Sequence, residues 1–134
     1  MEKFDCTFVI FGEPASKANS RRLVTIKGRP SSIKSQKALD YVSAFKIQCA
    51  NQVKEMTSAD VRVEMVIHYS SRRPDLDESV ILDAMQGIVY ANDRQVKQRE
   101  VYWALDKELP RAVIRVVECD VSAIPAHLAT TRAR

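Results

Sequence analysis

The sequence predicts one α+β domain, with a mixed or antiparallel sheet covered by helices. Two observations predict this class. Apolar and polar residues alternate in four segments, and in two other segments apolar residues recur at spacings of three and four. A chain of 134 residues fits a single domain with a buried core, and we find no internal repeat or domain boundary.

Alternation predicts four strands and a separate hairpin. Each strand places apolar residues at every second position, as a sheet with one buried face requires. These residues are Phe4, Cys6, Phe8 and Ile10; Val61, Val63, Met65, Ile67 and Tyr69; Val101, Trp103 and Leu105; and Ala112, Ile114 and Val116. We expect residues 107–110 to join the last two strands as a hairpin. A shorter hairpin is expected earlier, with residues 23–26 as one arm and Lys27-Gly28 as its turn.

Helical spacing predicts two helices. The first begins after Ser35, a suitable N-cap, and continues for about six turns. Its apolar stripe consists of Ala38, Val42, Phe45, Cys49, Val53 and Met56. The second is expected over residues 78–89, with an apolar side formed by Val80, Ile81, Ala84, Met85 and Ile88.

Composition restricts the class of protein and its partners. The hydrophobic fraction of 46% and the charged fraction of 28% are typical of soluble globular proteins. A net charge of +4 permits a polyanionic partner. Three cysteines far apart, without a CxxC pair or a signal-peptide pattern, argue against a thiolate zinc site and predict free thiols in a reducing compartment. No apolar run approaches the roughly 20 residues that span a bilayer, so we expect a cytoplasmic protein with no membrane partner.

An acidic cluster lies between the second predicted strand and the second helix. In an extended segment Asp75 and Asp77 present both carboxylates to one side, with Leu76 turned into the core. Paired carboxylates suit Mg²⁺, a hard ion that takes oxygen ligands. The preceding Arg72 and Arg73 are suited to binding phosphate. The cluster therefore suggests metal-assisted phosphodiester hydrolysis, whereas the acidic pair taken alone is better explained as a helix cap.

The combined pattern resembles the RusA family of Holliday-junction resolvases. The shared order is Asp-Leu-Asp, then Asp-Ala-hydrophobic, then a polar-Asp-x-Gln-Val turn, in residues 72–77, 82–90 and 92–96. A weaker similarity covers residues 14–19 and Gly28-Arg29-Pro30. The resembling region is a RusA-like endonuclease domain over residues 1–118, followed by a C-terminal tail, residues 119–134, that we expect to be partly mobile.

The resemblance implies a homodimer that binds four-way DNA junctions and nicks two strands symmetrically with Mg²⁺. It also implies that Asp75, Asp77 and Asp93 are the catalytic residues and the metal ligands. The intervening helix would return the chain so that Asp93 approaches the acidic pair. Asp83 belongs to the same pattern, but its position on the helix favours a structural or interface role.

Two departures from the family pattern leave alternatives open. Family members commonly carry a catalytic Lys early in the helix, and this helix has none, so Arg72, Arg73 or Lys97 would have to replace it. Asn92 also stands where an acid often precedes the catalytic Asp. The alternatives are a junction-binding protein with weak or lost catalysis, and a nuclease that cleaves flaps or other branched DNA.

A basic segment after the first strand is the predicted DNA-binding surface. Its candidate residues are Lys17, Asn19, Arg21 and Arg22, with Arg72, Arg73 and Lys97 as further DNA contacts. Phosphate contacts would supply most of the affinity, so binding should weaken as salt rises. The alternative is an ordinary solvated loop.

Overall fold

The computed structural model describes residues 3–16 and 21–129. Six strands and two α-helices follow one another along these residues. They are β1 (Asp5–Phe11), β2 (Arg21–Ile26), β3 (Arg29–Lys34), α1 (Gln36–Gln52), β4 (Val61–Tyr69), α2 (Ser79–Ala84), β5 (Val96–Leu105) and β6 (Arg111–Glu118). Short 3₁₀ helices occur at Asp93–Gln95 and Ala126–Leu128. The predicted single α+β domain with a mixed sheet is confirmed.

The main sheet has the strand order β1-β6-β4-β5. β6 lies antiparallel to both β1 and β4, whereas β5 lies parallel to β4. The expected hairpin between the last two strands is therefore wrong, because β4 separates β5 from β6. The connection from β5 to β6, residues 106–110, passes the end of β4 and is held by Asp106. The Asp106 carboxylate accepts hydrogen bonds from Glu108 N and Leu109 N and pairs with Arg111 at 2.7 Å. These hydrogen bonds, led by that from Arg111, lower the pKa of Asp106.

The core lies between one face of this sheet and α1. β4 alternates strictly, and every second side chain from Val61 to Tyr69 is buried. α1 buries Ala38, Tyr41, Phe45 and Cys49 against the sheet, and Phe45 meets the Phe8 ring edge-on at 6.3 Å. These contacts explain why period-two and period-3.6 patterns coexist in one chain.

The predicted N-cap of α1 is confirmed, but its predicted length is not. Ser35 accepts a hydrogen bond from Ala38 N at 3.2 Å. The helix ends at Gln52, four residues before Met56, which is 53% exposed. Val53 has an extended conformation but still packs in the core. The apolar spacing therefore continues beyond the helix, and the helix predicted from it is too long.

The second helix is much shorter than predicted. α2 ends at Ala84, and Gly87 has a φ of +86° that no helix accommodates. Beyond the glycine the chain turns back, and the buried Tyr90 donates its hydroxyl to Leu82 O at 2.6 Å. Met85 and Val89 are apolar because they fill the core from a turn, and their spacing mimics that of a helix.

A separate two-stranded sheet, β2 and β3, forms the predicted hairpin. Lys27 and Gly28 both have positive φ, 53° and 78°, as a type I′ turn requires. At the open end of the hairpin, opposite the turn, Arg21 and Lys34 are paired across the two strands and lie next to α2. The hairpin therefore positions two basic side chains close together beside α2.

Candidate active-site cleft

A cleft of about 280 Å³ lies where the open end of the β2–β3 hairpin meets α1 and α2. Both negatively and positively charged side chains line the cleft, which distinguishes it from an apolar ligand pocket. Its lining residues are Arg21, Lys34, Ala38, Ser79, Val80, Asp83 and Asp93.

Asp77 is hydrogen-bonded to Ser79, which lines this cleft, although Asp77 itself is not a lining residue. Its Oδ1 accepts hydrogen bonds from Ser79 N at 3.0 Å and from Ser79 Oγ at 2.7 Å. The N-cap position of α2 is Glu78, which makes no side-chain cap hydrogen bond, so Asp77 does not cap the helix and instead closes a turn onto its first residue. This turn does not exclude metal binding, because a carboxylate has a second oxygen and about four acceptor sites.

Two aromatic residues hold the loop that contains Asp75 and Asp77. Tyr69 and Trp103 stack with ring centroids 5.7 Å apart. The Tyr69 hydroxyl donates to Asp75 O and accepts from Asp77 N, both at 3.3 Å, and Trp103 Nε1 donates to Pro74 O at 3.0 Å. Burial raises the pKa of Tyr69, so its hydroxyl stays protonated at neutral pH. Backbone hydrogen bonds thus fix this loop.

The expected burial of Leu76 between the two acids is wrong, since Leu76 is 39% exposed. Tyr69 and Trp103 hold the loop through its backbone, so the apolar side chain at position 76 is not required as an anchor.

The turn that carries Asp93 is fixed by amide side chains. Gln95 Oε1 accepts from Ala91 N and Asn92 N, and Asn92 Oδ1 accepts from Arg94 N, which completes a capping box. Gln86 Oε1 accepts from Asp93 N at 3.0 Å. Glutamines 86 and 95 were not singled out from the sequence, although the Asn-x-x-Gln spacing indicates such a cap.

The three predicted catalytic acids are not equally placed. Asp93 lines the cleft, whereas Asp77 and the exposed Asp75 do not; Asp77 is connected to it by a hydrogen bond to the lining residue Ser79. Within residues 3–16 and 21–129 no three Asp, Glu, His or Cys side chains are grouped closely enough to hold a metal ion. The donor set nevertheless fits Mg²⁺, which binds carboxylate oxygens and often takes only one or two from the protein.

Two cations line the same cleft as Asp93. Arg21 and Lys34 sit directly opposite each other on the hairpin, so both side chains leave it on the same face. Arg21 is tied back by hydrogen bonds to Ser32 Oγ at 3.0 Å and Ser32 O at 2.9 Å, while Lys34 Nζ contacts Asp83 Oδ2 at 2.7 Å. Arg22, the next residue along β2, points to the opposite face.

The other predicted DNA contacts lie elsewhere. Arg72, Arg73 and Lys97 are exposed. Arg73 lines a separate cleft of about 340 Å³ together with Lys37. Lys17 and Asn19 fall outside the described residues. Arg72, Arg73 and Lys97 were expected to replace the helical lysine, but none of them lines the cleft that contains Asp93. Lys34 does line this cleft, and it was not singled out from the sequence.

Comparison with known families decides the assignment. The family model for endodeoxyribonuclease RusA matches residues 12–117, which include the hairpin, the Asp75–Asp77 loop and the Asp93 turn. The chain belongs to the RusA family. Membership implies a nuclease role in Holliday-junction resolution, within DNA recombination and repair, and RusA nucleases generally depend on a metal ion. No curated protein matches the chain significantly.

The RusA match also covers all the described cleft residues. It stops before the segment after β6, which turns at residues 121–122 and lies against β5 through hydrogen bonds from Gln98 to Asp120 O and Ala123 O. In the described part of this RusA protein, no helix is long and apolar enough to cross a membrane.

Proposed function

We propose that this RusA protein is a Mg²⁺-dependent endodeoxyribonuclease that resolves Holliday junctions by symmetric hydrolysis of two phosphodiester bonds. The observation that supports this most is the composition of the cleft: Asp93 lines it together with the cations Arg21 and Lys34, and Asp77 is hydrogen-bonded to the lining residue Ser79. Metal-assisted hydrolysis of a phosphodiester needs side chains of both charges, because cations bind the phosphate oxygens and carboxylates hold the metal ion.

Each residue has a distinct role in this mechanism. Asp77 and Asp93, with Asp75 on the same loop as Asp77, would hold Mg²⁺, which supplies Lewis-acid chemistry at the phosphate when bound. Arg21, fixed by Ser32, binds a phosphate oxygen and orients the strand. Tyr69 and Trp103 keep the acidic loop in place, so that little reorganisation is needed during the reaction.

A homodimer is part of this proposal. Symmetric cleavage of a four-way junction needs two equivalent active sites, and a twofold dimer supplies them. Light scattering of the purified protein should therefore give a mass near twice the 15.2 kDa of one chain.

The second candidate function is junction binding with weak or lost catalysis. Two observations favour it: no three acidic side chains form a metal-binding group in the described residues, and Lys34 is paired with Asp83. Binding would need only the cations and the shape of the junction.

One experiment separates the two functions. The purified protein is mixed with a strand-labelled four-way junction or with linear duplex of the same arm sequence, in Mg²⁺ or in EDTA. We expect paired nicks in opposite strands of the junction, only with Mg²⁺, and little cleavage of the duplex. Tight junction binding without nicks in Mg²⁺ or Mn²⁺ would favour the binding protein; cleavage of flaps in preference to junctions would reassign the substrate.

Binding should depend on Arg21 more than on Arg22. Arg21→Ala removes a phosphate contact in the cleft, so the slope of log K against log salt should fall by about one. Arg22→Ala, on the opposite face of the hairpin, is the matched comparison and should change the slope less. Fluorescence anisotropy with a labelled junction at several salt concentrations measures both. Equal effects of the two substitutions would remove the cleft as the phosphate-binding surface.

A further inference from the structure

Lys34 ends β3 with its ammonium group at the cleft. The Lys34–Asp83 pair is 2.7 Å apart, and the two side chains remain 35% and 46% exposed. An ion pair this accessible contributes only about 0–1 kcal/mol to stability. It is therefore weak enough to be exchanged for another anion.

A chain of hydrogen bonds connects Lys34 to the predicted catalytic turn. Asp83 uses Oδ2 for Lys34 and accepts from Gln86 Nε2 at 2.9 Å with Oδ1. The same Gln86 accepts from Asp93 N at 3.0 Å. Asp83 thus holds the lysine next to Asp93, and both of its oxygens already have partners other than a metal.

The hairpin also brings Lys34 opposite Arg21. Like charges at directly opposed positions repel, and this cost has to be offset by nearby anions. Asp83 offsets it in the free protein. A DNA phosphate entering the cleft is an alternative counter-ion for both cations. Arg21 can keep its neutral partner Ser32, whereas Lys34 would exchange the carboxylate of Asp83 for the phosphate.

We infer that Lys34 is a catalytic residue of this chain: it leaves Asp83 when DNA binds and contacts the phosphate that is cleaved. The inference rests on the proposed nuclease function. It places on β3 a cation that α2 lacks, since none of the six residues of that helix, Ser79–Ala84, is Lys or Arg. The ammonium neutralises charge that develops on the phosphate oxygens while the water oxygen bonds to phosphorus and the bond from phosphorus to one sugar oxygen breaks. Water gives up a proton to solvent, and the leaving oxygen takes one from it.

The test compares four variants of the full chain: Lys34→Met, Lys34→Arg, Asp83→Asn and, as a control, Lys46→Met on the exposed face of α1. Three quantities are measured for each: the single-turnover nicking rate at saturating protein, junction affinity as a function of salt, and the midpoint of thermal unfolding. Removing one cation that stabilises the transition state should slow Lys34→Met about 100-fold, and Lys34→Arg should restore part of the rate. Lys46→Met should nick like the wild type.

Affinity distinguishes a phosphate contact from a structural ion pair. Lys34→Met should lower the salt slope by about one, whereas Asp83→Asn should tighten junction binding, because phosphate no longer competes with the carboxylate. A structural ion pair predicts similar losses from both substitutions. A wild-type protein that binds junctions without nicking them would contradict the proposed function, and the salt slope of Lys34→Met would still decide the phosphate contact. A wild-type slope in Lys34→Met overturns the inference, as does a wild-type nicking rate.

Discussion

Asp93→Asn and Asp77→Asn are each expected to lower the junction-nicking rate at least about a thousandfold while leaving junction affinity nearly unchanged. Asn keeps the size of Asp but removes the charge that holds a cation. At position 77 the substitution is especially informative, because an Asn oxygen can still accept from Ser79 N and Ser79 Oγ. The turn onto Ser79 is therefore preserved while metal binding is lost.

The measurement is single-turnover nicking of a labelled junction across a range of Mg²⁺ concentrations. Glu55→Gln is a suitable control, because Glu55 follows the end of α1 that lies far from Ala38 and the cleft. Variants at 77 and 93 that nick at the wild-type rate would show that these carboxylates serve only as turn formers. A rate loss accompanied by a lower unfolding midpoint would show that the turn, rather than the charge, was needed.

Periodicity predicted those parts of the fold in which burial alone sets the pattern. β4 was predicted over its full length because each of its inward side chains is buried, and Ser35 because its side chain caps α1. The ends of the helices were not predictable in this way. Val53 continues the buried stripe after α1 has ended. Met85 and Val89 reach the core from a turn in which Gly87 has a positive φ that a helix does not accommodate.

Strand pairing shows a different limit. The patterns of β5 and β6 are the same whether the strands are neighbours or have β4 between them. The arrangement depends on the short connection between β5 and β6, which Asp106 and Arg111 hold in place. The spacing of apolar residues does not predict such a connection.

The candidate site was predictable where it rests on local motifs and not where it depends on distant contacts. The acids Asp77 and Asp93 follow from sequence order and the RusA resemblance. Lys34 was missed because its relation to Asp83, 49 residues later, arises only when the hairpin meets α2. Gln86 was missed for the same reason, since its amide joins two acids that sequence reasoning treated separately.

Phe45→Ala is expected to have the largest effect on stability. Phe45 is fully buried on α1, contacts Phe8 edge-on at 6.3 Å and lies 6.0 Å from the Tyr41 ring. Removing a buried phenyl ring leaves a cavity and costs about 3–5 kcal/mol, a large part of the roughly 5–15 kcal/mol that stabilises a domain. Urea denaturation followed by circular dichroism measures the change in the free energy of unfolding.

Ile47→Ala is the matched control on the same helix, because Ile47 is 67% exposed and its truncation should change stability by less than about 0.5 kcal/mol. The contrast also bears on function, since α1 supplies Ala38 to the wall of the cleft. Below its unfolding midpoint, Phe45→Ala should still nick junctions, because the cleft residues are unchanged. A loss below about 1 kcal/mol would mean that the core closes around the missing ring, and that α1 is held to the sheet mainly by its other contacts. Those contacts include Gln48 and Gln52, whose side-chain amides bond the backbone of Phe11 and Val9 along the edge of β1.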